Sequence, residues 1–142
     1  MVSYRILTVV LMGVLLAACA GGRSPGPTVP VRDLDGTSWR ATSLRDVGPM
    51  AGAEPTIRFS SGQAGGTTGC NTFGGPYTLT ADGSFTVGSV VMTEIACIGE
   101  LGAQESIVID LLTKANRLEF LSDGSIRISG PAGAAVFEED PR

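Results

Sequence analysis

The chain has 142 residues, no histidine, ten basic and fourteen acidic side chains, and a formal net charge of −4. Without imidazole, Ser-His-Asp and Cys-His nucleophile pairs and the commonest zinc ligand are excluded. The excess of acid leaves no electrostatic footprint for nucleic acid or for anionic lipid head groups.

Arg5 precedes an apolar run, Ile6 to Leu16, that closes on Leu16-Ala17-Ala18-Cys19. A basic start, an apolar middle, small residues and then cysteine make a secretory signal peptide with a bacterial lipobox. The run is shorter than the ~20 residues a membrane span needs. Cleavage after Ala18 and acylation of the Cys19 thiol are therefore expected. A single acyl chain anchors only marginally, and several together hold stably. Removing the signal peptide, residues 1–18, leaves 124 residues, the length of one domain, and loss of Arg5 takes the charge to −5. Residues 19–32 are the acylated cysteine and a Gly/Pro/Ser-rich tether. Ala20, rather than Asp, follows the lipidated cysteine, which suits outer-membrane sorting in a host with two membranes. In a host with one, the expected location is the outer face of the cell membrane.

Residues 33–142 form the folded domain. Leu34 to Leu44 alternates around Trp39 and predicts a first strand; Thr56 to Ser60 puts Ile57 and Phe59 on one face. Gly65 to Asn71 is small and Gly-rich, the composition of a strand closely approached by another backbone. Tyr77–Thr80 and Ser84–Val87 flank Ala81-Asp82-Gly83, a hairpin signal. From Glu100 to Ala115, the residues Leu101, Val108, Leu111, Leu112 and Ala115 recur on one helical face, broadened by Ile107 and Ile109. Glu100 and Glu105 come early and Lys114 late, as the helix dipole favours. Asp123-Gly124 joins Arg117–Leu121 to Ser125–Ser129, and a last strand, Ala134 to Glu138, follows the Gly130-Pro131 turn. The class is mainly β with one helix (α+β), the helix plugging or covering one side of a curved sheet.

After Cys19, two cysteines remain, Cys70 and Cys97, 27 residues apart. In an oxidising envelope an even pair reads most simply as a disulfide, worth roughly 3.5 kcal/mol by chain entropy. Free buried thiols and a reactive thiol are the alternatives, although neither a Cys-x-x-Cys spacing nor an electropositive neighbourhood is visible. Gly69-Cys70-Asn71-x-x-Gly74-Gly75 lacks the Gly-Lys-Ser/Thr of a phosphate loop and reads as a tight turn, with Asn71 and Gly74 at positive φ. Among the carboxylates, Glu100 and Asp110 are expected in solvent, and Glu105 is expected to turn toward the sheet and bond backbone groups. No Asp-Gly turn has calcium-loop offsets, and the one lysine, Lys114, lacks a Ser-x-x-Lys spacing. No catalytic residue, metal or cofactor is assigned. Trp39, Phe59, Phe73, Tyr77, Phe85, Phe120 and Phe137 are the core of a small β domain or, in a second reading, the lining of an apolar pocket.

The order of these pieces resembles the META domain, or HslJ-like, family of heat-shock and envelope lipoproteins. The likeness runs over about residues 33–139: Leu34-x-Gly36-Thr37-x-Trp39, then Gly69-Cys70-Asn71-x-Phe73-x-Gly75-x-Tyr77, Thr93-x-x-Ala96-Cys97, the Glu105 helix and the Asp123-Gly124 hairpin. Arg45 to Pro55 is generic. The resemblance implies a curved, barrel-like antiparallel sheet of about eight strands with one helix packed against or into it. It also implies that Cys70 and Cys97 lie close together and that Trp39, Gly69, Asn71, Gly75, Tyr77, Thr93 and Glu105 are structural motif residues. Members are associated with heat-shock response and drug tolerance. The expectation is a non-enzymatic envelope lipoprotein, held by its lipid anchor, that supports envelope integrity or stress and drug tolerance through protein contacts. A structural likeness to acyl-binding secretion pilots makes a carrier of lipid or another hydrophobic ligand the second reading. A thiol-dependent enzyme is the third.

Overall fold

Alternating apolar residues with glycine-bearing turns between them set the strands. The computed structural model describes residues 30–141; the signal peptide, Cys19 and nearly all of the tether lie outside them. The elements are β1 (Ser38–Leu44), β2 (Thr56–Ser60), β3 (Gln63–Thr67), β4 (Thr72–Leu79), β5 (Phe85–Val87), β6 (Val91–Met92), α1 (Gly99–Thr113), β7 (Arg117–Phe120), β8 (Ile126–Gly130) and β9 (Gly133–Glu139). Among the described residues no helix is long and apolar enough to cross a membrane.

Eight strands follow one another in the order β5-β4-β3-β2-β1-β9-β8-β7, every neighbouring pair antiparallel, and the short β6 pairs with the start of β4. The two outer strands then meet. Phe85 N–H donates to the Asn116 carbonyl at 3.1 Å and Leu118 N–H to the Gly83 carbonyl at 2.9 Å. The sheet is a nearly closed barrel, and closure is what removes its exposed edges. Both Asp-Gly turns are hairpins, with Gly83 at φ 84° and Gly124 at φ 89°, a region glycine enters without steric cost.

The barrel interior is filled. Trp39, Phe59, Phe73, Phe85, Phe120 and Phe137 are buried together with Ile57, Leu118, Ile126 and Ile128. Tyr77 is half-buried and packs edge-on against Phe59 with ring centroids 4.9 Å apart. The aromatic residues are therefore core. Helix α1 lies across one mouth of the barrel and buries Val108, Leu111 and Leu112. Where it meets Leu44, Ile128, Ala135 and Phe137, a cavity of about 10 Å³ remains, no more than the room one water needs.

Several sequence expectations shift in detail. The first strand begins at Ser38, because Gly36, at φ 83°, turns the chain after Leu34. Leu34 itself is buried beneath that turn. The Gly-rich segment is β3, Gln63–Thr67 rather than 65–71, and it does meet another backbone closely: a Cβ on Gly66 would overlap the Thr56 carbonyl of β2. Asn71 and Gly74 do not take positive φ. Gly69, at φ 98°, makes the turn, and Gly74 and Gly75 extend β4. β6 has no sequence signal, since two residues are too few to show a period.

Candidate functional site

A buried polar cluster is built from the turn between β3 and β4. Thr68 N–H donates to the Asn71 carbonyl at 2.8 Å. The Thr68 hydroxyl oxygen accepts from the backbone N–H of Asn71 at 3.0 Å and of Cys70 at 3.3 Å. Short hydroxyl side chains satisfy a turn in this way. The turn presents Cys70 and Asn71 to the segment between β6 and α1. There Cys70 and Cys97 form a disulfide with their Cα atoms 6.3 Å apart.

Asn71 is fully buried and its amide is used on both sides. Its Oδ1 accepts from Thr93 Oγ1 at 2.7 Å and from Ile95 N–H at 2.8 Å. Its Nδ2 donates to the Ile95 carbonyl at 2.9 Å and to Glu105 Oε2 at 2.8 Å. The side chain imitates a strand neighbour for Ile95, a residue outside any strand. Glu105 also receives the Thr68 hydroxyl at 2.8 Å. It does turn toward the sheet as expected, but its partners are side chains, not backbone groups.

Gln104 stands one position before Glu105 and is buried. Its Oε1 accepts from Met50 N–H at 2.7 Å, and its Nε2 donates to the carbonyls of Ala53 at 2.8 Å and Thr68 at 3.0 Å. Two adjacent helix side chains therefore latch the 48–54 loop and the β3–β4 turn to α1. Sequence reasoning passed over Gln104. Its signal was a polar residue on the apolar stripe, three positions after Leu101 and four before Val108.

Of the motif residues, Gly69, Cys70, Asn71, Thr93, Cys97 and Glu105 come together here; Trp39, Gly75 and Tyr77 do not. Trp39 is buried, with its indole N–H on Thr37 Oγ1 at 2.7 Å. A Cβ on Gly75 would stand 2.8 Å from the Ser89 carbonyl oxygen. Tyr77 lies at the other mouth and donates to Asp35 Oδ1 at 2.9 Å. Asp35 also accepts the backbone N–H of Ser61 at 3.0 Å and of Gly62 at 3.3 Å. The Tyr77 hydroxyl and these amides hold the Asp35 carboxyl below the usual range. Burial first, and the Asp35 carboxylate second, push the Tyr77 phenol up to about 12. Beside this pair, Arg32, Asp33, Tyr77 and Thr80 line an open cleft of about 230 Å³. Asp110 has its side chain exposed on α1, as expected, and is paired there with Lys114 at 2.8 Å and Arg45 at 3.2 Å.

Cys70 Sγ, Cys97 Sγ and a Glu105 oxygen all lie within 4.8 Å of one another. With the two sulfurs bonded to each other, neither is a thiolate, and the thiolate is the form that ligates metal or attacks an electrophile. The cluster as it stands is a fastening.

The META domain family profile matches residues 32–140. The chain belongs to the META domain family. Its fold is similar to the NMR structure of a protein from Burkholderia xenovorans, at a TM-score of 0.61 and 24% identity, over 85% of this chain and 99% of that one. A second NMR structure is similar at a TM-score of 0.62 and 18% identity, over 74% of this chain and 90% of that one. At these identities the likeness carries the fold alone. None of the curated proteins matches significantly. In this META domain the two cysteines do lie together, linked, as the family resemblance implied.

Proposed function

We propose that this META domain protein is a non-enzymatic envelope lipoprotein, acylated at Cys19, that supports envelope integrity under stress through protein contacts made by its surface. The observation that carries this reading is the packed interior. Among the described residues the helix-covered end holds a cavity of only about 10 Å³, too small for an acyl chain. Contact chemistry then belongs to the outside. The lipobox ending at Cys19 supports a place at the membrane, and the Cys70–Cys97 disulfide supports an oxidising compartment.

The test uses a deletion strain complemented with the full chain. Loss of the gene should raise uptake of a membrane-impermeant dye after heat stress, and the wild-type chain should restore exclusion. A deletion strain that excludes dye as well as its parent would overturn the envelope role. Cys19→Ser should move the protein from the membrane pellet to the soluble fraction, and unchanged sedimentation with membranes would overturn the anchor.

A further inference from the structure

β6 and the segment from it to α1 carry three large apolar side chains in solvent: Val91 at 75%, Ile95 at 63% and Ile98 at 85% exposure. Single exposed aliphatics are ordinary, but three within eight residues of a well-fastened segment are not. The segment is held at every step. Thr93 N–H donates to the Thr72 carbonyl at 3.0 Å, Ile95 is bonded through both its N–H and its carbonyl to Asn71, and Cys97 is tied to Cys70. A surface whose backbone order is already fixed loses little entropy when a partner arrives.

Charge and position select the partner. From Phe59 to Thr113 the sequence has no lysine or arginine, while Asp82, Glu94, Glu100, Glu105 and Asp110 fall within it. Glu94 and Glu100 are exposed and flank Ile95 and Ile98. A second copy of this chain would set those acids against themselves, and an anionic bilayer would repel them. The patch also lies toward the opposite end of β4 from Arg32 and Asp33, near the start of the described chain. The described chain starts beside Tyr77 and Thr80, where Arg32 and Asp33 line the cleft at the end of β4. β6 pairs with Phe73 and Gly74 at the start of β4, three to seven residues from Tyr77 and Thr80, or about 10–23 Å along the strand.

We propose that Val91–Ile98 is a docking surface for an envelope protein segment that carries apolar side chains flanked by lysine or arginine. This deepens the proposed function and rests on it. Ile95 and Ile98 supply the apolar contact, and Glu94 and Glu100 select the basic flanks.

The test selects a displayed random-peptide library on the full-length chain. Selected peptides should combine apolar residues with lysine or arginine, and their binding should weaken as salt rises. Ile98→Asp, at an exposed position that leaves the fastenings intact, should cost about tenfold or more in affinity. The double charge reversal Glu94→Lys/Glu100→Lys should lose the basic peptides and accept their acid-substituted versions. Acidic or uncharged selected peptides would overturn the proposal, as would binding indifferent to Ile98→Asp. So would self-association, or binding to anionic vesicles, that Ile98→Asp abolishes. An Ile95→Asp/Ile98→Asp chain that fully restores dye exclusion in the deletion strain would overturn the docking surface and leave the envelope role standing. A deletion strain without a defect would overturn that role while leaving peptide binding to be read by itself.

Discussion

A single buried amide decides how the segment after β6 is placed. Asn71 substitutes for a strand by bonding both backbone groups of Ile95, so removing it orphans several groups at once. Asn71→Ala is expected to cost about 2–4 kcal/mol, because buried donors and acceptors left unpaired cost more than an average bond contributes. Chemical denaturation measures this, and a loss below about 1 kcal/mol would mean that water replaces the amide. The Asp35–Tyr77 pair makes a residue-scale expectation at the opposite mouth. Asp35 titrates lower in the folded chain than unfolded, so its stabilising share is full above its unfolded pKa, near 4, and is lost as pH falls through the folded value. Tyr77 is raised from 10.0 to about 12. Its share is full below pH 10 and is lost as pH rises between those two values. Tyr4 is the other tyrosine, so in a chain that begins at the proposed Cys19 tyrosinate absorbance would report Tyr77 alone. Asp35→Asn should lower that midpoint without bringing it to 10, because burial is the larger cause.

Elements here are held by what their sides carry. Helix α1 has no side-chain cap at Ile98, yet Gln104 and Glu105 fix its first half through five hydrogen bonds to the 48–54 loop and the β3–β4 turn. Its second half is held by Val108, Leu111 and Leu112 against the barrel. The disulfide ties the segment leading into that helix to the β3–β4 turn, and closing a 27-residue loop is worth roughly 3.5 kcal/mol. Cys70→Ser/Cys97→Ser should lower stability by about that amount. In hydrogen exchange, the added exposure should concentrate between Val91 and Ile98, with β1, β8 and β9 remaining protected. Uniform loss of protection would show that the bond supports the whole barrel instead.

At the scale of the molecule, the barrel depends on pairing its first strand with its last. β9 sits between β1 and β8, and Phe137 and Ala135 fill the core from it. Ending the chain at Gly130 leaves β1 and β8 each with one unpaired edge, opens the barrel and removes those side chains. The truncated chain should lack the near-ultraviolet signal of packed Trp39 and Phe120, which stand edge-on at 6.5 Å. A native-like spectrum would show that the remaining strands, β1 to β8, suffice. Such distant pairing also slows folding, since the loop must close before its contacts form.

Local signals made much of this legible in the sequence. Thr56–Ser60 is a strand with the predicted limits because Ile57 and Phe59 alternate with polar residues. Both Asp-Gly hairpins and the helix, observed at Gly99–Thr113, follow from turn chemistry and a 3.6-residue period. The β3–β4 motif with its two cysteines marked where the chain would be fastened. What the sequence left undecided depends on groups distant along the chain. β6 exists only because β4 offers it an edge. Gln104 reads as a misplaced polar residue until the carbonyls of Ala53 and Thr68 arrive opposite it. Whether the aromatics would line a pocket or fill a core was likewise open, because composition fixes the apolar volume and not the space around it. Sequence by itself determined the class of fold and the two Asp-Gly turns, which rest on neighbours, and singled out Cys70 and Cys97 as a candidate pair, which rests on counting. The tertiary structure alone decided that the barrel is filled, that Asn71 and Gln104 hold it to its helix, and that Val91, Ile95 and Ile98 stay in solvent, because each is a balance struck between elements brought together by folding.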